Sequence, residues 1–285
     1  MKVALFGTGL MGFNMARRLL EKNIPVVAWN RTIEKAKPLE EFGAEVTPSF
    51  QEALKKVDLV AIMVSDDEAS GFVMENICFE SRGNMMIINH STVTPSHSKK
   101  MHEMAHRVGC KYVALPVMGG PGDALRGELV GIAGGDWNSL DAYREYVDAL
   151  FRKIHVLRSV EEASAVKLAL NSIYFSAMIG LAEALVLAES WGTNPQQLLD
   201  IAQDLWIKTI AERYGSRLLA DNYPVSFKLR LAAKDMLYAT IAGGERGVSL
   251  PHISTMAQTL LSASMREKIK EEDYTRIYKF LKGLV

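Results

Sequence analysis

The sequence predicts an α/β domain built on a parallel sheet, then one long helix, then an all-helical domain. Three observations carry this reading. Short apolar runs alternate with helically spaced segments over the first 160 residues, a glycine pattern sits at the first strand-to-helix turn, and after about residue 160 no strand pattern returns. At 285 residues the chain is long for one hydrophobic core and comfortable for two. The expected domains are 1–160 and 161–285.

The elements follow in order. "KVALFG" is a short apolar run ending in glycine, the first strand. "MGFNMARRLLEKN" has helical spacing, with Met15, Leu19 and Leu20 on one side and Arg17, Arg18 and Lys22 off it. "IPVVAWN" is the second strand, and "TIEKAKPLEEFG" reads as a polar helix. "DLVAIMV", "NMMIINHS" and "KYVALPV" are three further apolar runs. Such continuous runs suit strands covered on both faces. From Glu161 to Trp191 there is no proline and Gly180 is the only glycine, so this stretch reads as one long helix, apolar nearly all round and therefore buried. Helical segments at 195–204, 206–220, 227–243, 251–268 and 274–283 complete the second domain.

Composition narrows the function. Lysine plus arginine equals aspartate plus glutamate at 33 each, so nothing favours nucleic-acid binding as the main activity. Cys78 and Cys110 belong to no CxxC pair and read as small core residues in a reducing compartment. The opening apolar run is broken by glycines and reads as a buried strand, not a leader. The least charged segment, 168–182, is too short to span a bilayer and holds Asn171. The expectation is a soluble cytoplasmic protein without a membrane partner.

"FGTGLMG" places Gly7, Gly9 and Gly12 in G-x-G-x-x-G spacing, after a strand and at the start of a helix. In that context the pattern is the dinucleotide fingerprint of a Rossmann domain. Gly7 serves the tight turn, Gly9 lets backbone amides reach a pyrophosphate, and Gly12 permits close helix packing. Thr8, Leu10 and Met11 complete the loop at the helix N-terminus, which favours phosphate. The second strand ends "AWNRT", with no acid to take a ribose 2′-hydroxyl. Arg31 offers a planar donor fork to a 2′-phosphate, and Asn30 and Thr32 can add hydrogen bonds. The expected cofactor is therefore NADP.

"HEMAH" at 102–106 is formally the zinc-protease pattern H-E-x-x-H. Met101, Met104, Ala105 and Val108 would face the sheet, which leaves His102 and His106 on the flank of a crossover helix with no cleft. Catalytic zinc needs a third protein ligand, and no neighbouring residue signals one, so no metal site is expected.

The stretch "SAVKLALNSIYF" sets Lys167 and Asn171 four residues apart within the apolar long helix, on one face. Burying an ammonium group is costly unless it is paired or loses its proton readily. The first turns of this helix follow the nucleotide domain, so the pair is expected near a cleft between domains. There a desolvated lysine can exchange a proton while a nicotinamide supplies hydride, and Asn171 can hold a substrate oxygen.

Taken together, "GTGLMGFNMARRLL…WNRT", "NHSTVTP", "PVMGGPGDALRGELVGIAGG", "KLALN" and "FKLRLAAKD" resemble the successive motifs of the β-hydroxyacid dehydrogenases over the whole chain. That family includes 3-hydroxyisobutyrate dehydrogenases and tartronate and succinic semialdehyde reductases. The resemblance implies a homodimer or homotetramer acting on a small carboxylate substrate. It implies Lys167 as the catalytic lysine and Asn171 as the substrate-orienting asparagine. It maps the S-T-x-x-P element onto Ser91, Thr92 and Pro95, with Thr92 near the nicotinamide ribose or the substrate. Val64 and Ser65 would meet the adenosine side, and Lys234, with Phe227 nearby, the cofactor or the mouth of the site. The substrate loop departs from the family's usual Ser-Gly-Gly: it reads Met118-Gly119-Gly120, with the glycine amides still expected to meet a carboxylate. The glycines that usually precede the lysine are replaced by "SVEEASAV". An imine reductase of the same fold and a non-catalytic NADP-binding protein are the alternatives. The intact lysine–asparagine pair argues against both.

Overall fold

The computed structural model describes residues 1–55, 57–81, 83 and 85–285. The chain divides into two compact units, Met1–Lys167 and Leu168–Val285.

Among the described residues, the first unit holds a nine-stranded sheet with the order β3-β2-β1-β4-β5-β6-β8-β7, and β9 paired to β8. The strands are β1 (Val3–Phe6), β2 (Val26–Trp29), β3 (Glu45–Val46), β4 (Leu59–Ile62), β5 (Met86–Asn89), β6 (Lys111–Ala114), β7 (Val117–Met118), β8 (Leu129–Gly135) and β9 (Phe151–Val156). Strands β1 to β6 pair in parallel, and β8 runs antiparallel to both β6 and β7. Every residue of β1, β2, β4 and β5 is buried, which is why these strands read as unbroken apolar runs. Strand order reverses between β1 and β4, and in doubly wound sheets ligands bind at that switch point. The sheet is covered by α1 (Leu10–Glu21), α2 (Phe50–Leu54), α3 (Asp67–Glu80), α4 (Pro95–Arg107), α5 (Pro121–Arg126) and α6 (Arg144–Leu150). Helix starts follow capping chemistry: Asp66 accepts the Ala69 amide at 2.8 Å, and Thr94 accepts the His97 amide at 3.2 Å with Pro95 at the first position.

Two segments differ from the sequence reading. "TIEKAKPLEEFG" forms two short 3₁₀ turns, Ile33–Lys35 and Lys37–Phe42, instead of one α-helix. Pro38 lacks the amide that a continuous helix needs there. Strands β3, β8 and β9 fall outside the five apolar runs. Three glycines interrupt β8. A Cβ on Gly134 would strike the Ser159 carbonyl, so close backbone approach excludes the side chains that signal a strand. Strand β9 buries only Phe151 fully.

Helix α7 (Val160–Ser190) begins in the first unit and continues into the second. By length and hydropathy it could cross a membrane. Its Leu168, Phe175, Met178, Ile179, Ala182 and Leu185 are instead core residues of the second unit. The rest of that core comes from α8 (Pro195–Ala202), α9 (Lys208–Leu219), α10 (Leu229–Gly244), α11 (Pro251–Ser264) and α12 (Ile277–Leu281). Among the described residues its only β-type pairing is an isolated bridge between Lys228 and Asp273.

Candidate active site

The nucleotide end is assembled at the C-terminal edge of β1, β2 and β4. Gly7 has φ +104°, and a Cβ on it would run into the Met63 carbonyl. A Cβ on Gly12 would strike the Gly7 carbonyl, so loop and helix approach to backbone contact. Gly9 differs: the space beside its Cα is open to at least 4 Å. It caps α1 without a side-chain hydrogen bond, and the first turn of α1 carries no acid. Thr8 Oγ1 is buried without a hydrogen-bond partner. An open approach, a helix N-terminus and an orphaned hydroxyl together fit a phosphate group. Leu10 is exposed and Met11 half-buried at the same turn.

Asn30 lies at this edge, but its amide is engaged within the protein. Oδ1 accepts the Thr8 amide at 3.0 Å and Nδ2 donates to the Thr32 carbonyl at 2.8 Å. These two bonds pin the glycine loop to the end of β2. Arg31 and Thr32 are exposed beside it. The Val64 amide donates to the Ser91 hydroxyl at 2.9 Å, and the Ser91 amide donates to Asn89 Oδ1 at 2.9 Å. Ser91 is buried, and its hydroxyl, by accepting the Val64 amide, holds the β4 and β5 ends together. Ser65 Oγ donates to Asp66 at 2.5 Å, and Thr92 is half-buried.

Lys167 is the buried cation of the first unit, with 8% of its surface exposed. Its Nζ donates to the Val117 carbonyl at 2.8 Å and lies 3.3 Å from the Met118 sulphur. The fold thus brings the predicted lysine onto the predicted substrate loop. Gly119, φ +127°, is exposed at that loop. The Gly120 amide donates to Asp123 at 2.7 Å and closes the first turn of α5. The expectation that both glycine amides meet a carboxylate is corrected: the Gly120 donor is engaged within the protein.

In the second unit, Asn171 Nδ2 donates to Asp235 Oδ2 at 2.7 Å. Asp235 is 1% exposed, and its other oxygen lies 2.9 Å from Lys234 Nζ. Lys234 also sits 4.8 Å from the centre of the Tyr238 ring. The aspartate fixes the asparagine amide, a function that one sequence could show only as a Lys-Asp pair. Phe227 packs against Phe175 and Tyr274, with ring centres 6.0 and 5.9 Å apart, which places it in an aromatic cluster of this unit.

Two features were not read from the sequence. His90 is buried, with Nδ1 at 2.8 Å from the Leu115 carbonyl and Nε2 at 2.6 Å from the Tyr146 hydroxyl. Burial lowers its pKa to about 4. A histidine at the end of an apolar strand was the available signal. The other concerns His102 and His106. The third ligand type that the sequence did not signal is present: Asp136, at the end of β8, approaches both rings.

A doubly wound parallel sheet with a glycine-rich phosphate turn, followed by a helical unit, is the architecture of a dinucleotide-binding protein. Residues 2–157 match the family model of the NAD-binding domain of 6-phosphogluconate dehydrogenase. Residues 162–281 match that of the NAD-binding region of NADP-dependent 3-hydroxyisobutyrate dehydrogenase. Glyoxylate/succinic semialdehyde reductase 1 of Arabidopsis thaliana is 35% identical over 260 residues, 88% of each chain. The chain belongs to the β-hydroxyacid dehydrogenase family. Two solved structures share the fold: 3-hydroxyisobutyrate dehydrogenase of Mycobacterium tuberculosis with L-serine (99% of each chain, TM-score 0.86, 23% identity) and Psf3 with NADP+ and 2-OPP (98% and 99%, TM-score 0.85, 20% identity).

Proposed function

We propose that this protein is an NADPH-dependent reductase of small semialdehydes or keto acids, with Lys167 as the general acid and base. The observation that carries the reading is the Lys167 ammonium, buried and directed onto the Val117–Met118 edge of the substrate loop. When bound, the reduced nicotinamide supplies hydride to the carbonyl carbon. Lys167 Nζ gives a proton to the carbonyl oxygen as negative charge develops there. Asn171, its amide fixed by Asp235, orients the substrate oxygen from one helical turn further along α7. Thr92 and Gly119 line the reacting end in the first unit, and Arg31 takes the 2′-phosphate. The 2′-phosphate reading rests on an exposed Arg31 and no acid at the end of β2. The exposed apolar residues Ile173, Leu187, Trp191 and Trp206 support a homodimer or homotetramer built on the second unit.

The test is turnover of a panel of semialdehydes, 2-keto acids and hydroxy acids with both cofactors, alongside an amine-plus-ketone pair. Carbonyl reduction with NADPH is expected. Lys167→Met should lower kcat about 10²–10⁴-fold while leaving NADPH affinity unchanged. Near wild-type turnover in that variant removes Lys167 from the chemistry. NADPH-dependent reduction of the imine to the amine without carbonyl reduction points to the alternative enzyme.

A further inference from the structure

We propose that His102, His106 and Asp136 form a binding site for a late first-row divalent metal ion, with zinc the best fit. The site is independent of the reductase centre and ties α4 to the end of β8. His102 and His106 stand four residues apart on α4, so both rings leave the same side of the helix. Their ring centres lie 4.1 Å apart. Asp136 Oδ2 lies 2.7 Å from His106 Nε2 and 3.9 Å from His102 Nε2. One ligand atom from each residue falls within 4.8 Å of the others.

Those separations are close to what a metal requires. Tetrahedral zinc with ligand bonds of about 2.0–2.1 Å sets neighbouring ligand atoms about 3.3 Å apart. The shorter contact must open by about 0.6 Å and the longer close by about the same. Rotation of two partly exposed imidazoles supplies both changes, because the His102 and His106 side chains are 28% and 42% exposed. Two nitrogens and one carboxylate oxygen are a borderline ligand set that suits zinc, cobalt and nickel and disfavours calcium and magnesium. Three protein ligands leave the remaining position to water.

The carboxylate is prepositioned. Gly135 has φ +104°, and a Cβ on it would press on the Tyr112 carbonyl, so the chain turns sharply where β8 ends. The Asp136 amide then donates to the Tyr112 carbonyl at 3.0 Å, and the Tyr112 amide donates back to Asp136 Oδ2 at 2.9 Å. A backbone donor of this kind orients a ligating carboxylate from outside the metal shell. Glu103 and Glu161 lie near enough to act electrostatically on His102, which adds negative potential for a cation. None of the three ligands belongs to the proposed reductase machinery.

The test is titration of the full chain with Co2+, read by its visible ligand-field absorption, with Zn2+ then added to displace it. One equivalent per chain is expected, bleached by Zn2+. At metal concentrations a hundredfold above the dissociation constant, the melting temperature should rise by roughly 5–10 °C. His106→Gln and His102→Gln should each weaken binding at least about tenfold, and the double variant should abolish the absorption. Each variant should melt as the wild type does without metal and should keep its NADPH-dependent turnover. Absence of a Co2+ spectrum in the wild type, or an unchanged spectrum in the double variant, overturns the proposal.

Discussion

Gly9 and Gly12 lie three residues apart in one motif, and alanine should affect them in opposite ways. Gly9 has φ −68°, which alanine adopts freely, and nothing stands within 4 Å of where its Cβ would go. Gly9→Ala should therefore fold as well as the wild type, or gain about 0.4–1 kcal/mol from a less flexible unfolded chain. The added methyl enters the space through which a pyrophosphate must approach. Loss of one charge-assisted hydrogen bond costs about 1.5–3 kcal/mol, so NADPH affinity should fall roughly tenfold to a hundredfold. Gly12→Ala drives a Cβ into the Gly7 carbonyl, a backbone atom that cannot swing aside. That overpacking should cost about 1–3 kcal/mol of stability. Urea melts with and without NADPH, together with fluorescence titration of NADPH, separate the two effects. The reasoning fails if Gly9→Ala binds NADPH as tightly as the wild type. It also fails if Gly12→Ala melts unchanged.

Three further outcomes can be measured. Arg31→Ala should raise the KM for NADPH roughly tenfold to a hundredfold with little effect on NADH, and a wild type that uses NADH at least as well contradicts the cofactor reading. Met118→Ser should improve kcat/KM for glyoxylate relative to longer semialdehydes; an unchanged ratio moves specificity to other residues. His90 has its folded pKa near 4, against about 6.5 when unfolded, so its contribution is complete above pH 6.5 and lost as pH falls towards 4. The gap corresponds to about 3 kcal/mol. Urea denaturation at pH 7 and pH 4.5 should show a smaller loss in His90→Leu than in the wild type, and equal losses exclude His90 as a source of acid sensitivity.

Strands β1, β2, β4, β5 and β6 were legible because burial on both faces writes an unbroken apolar run into the sequence. Helix α7 was legible because 31 residues pass without a breaker to end it. Strand β8 was not, because its neighbours' backbones come so close at Gly134 and Gly135 that strand-forming side chains are excluded. At the site, residue identity named candidate groups but not the partners they have in the fold. Asn30 and Gly120 stand where ligand contacts were expected, yet each is engaged locally, one by Thr8 and Thr32 and the other by Asp123. A single sequence carries no record of such partners when they lie 2 to 22 residues away without a fixed period. Asp136 shows the same limit over a longer range: it stands 30 positions from His106, with β6, β7, α5 and β8 between them.

The substitution of Met118 for the family's usual serine acquires a physical meaning only through Lys167. The methionine sulphur lies 3.3 Å from the ammonium, which also donates to the Val117 carbonyl at 2.8 Å. A thioether is a weak acceptor. An anionic oxygen offers a charge-assisted hydrogen bond worth about 1.5–3 kcal/mol, so an incoming substrate displaces the sulphur at little cost. A serine hydroxyl would instead act as a donor to the substrate carboxylate, and its loss removes a comparable amount of binding. The two effects oppose each other. What decides between them is the rest of the substrate, since each methylene buried against the flexible methionine side chain returns about 0.8 kcal/mol. With Lys167 in its proposed role, the substitution should leave the proton donor in place and shift recognition from the number of polar contacts toward the apolar length of the substrate.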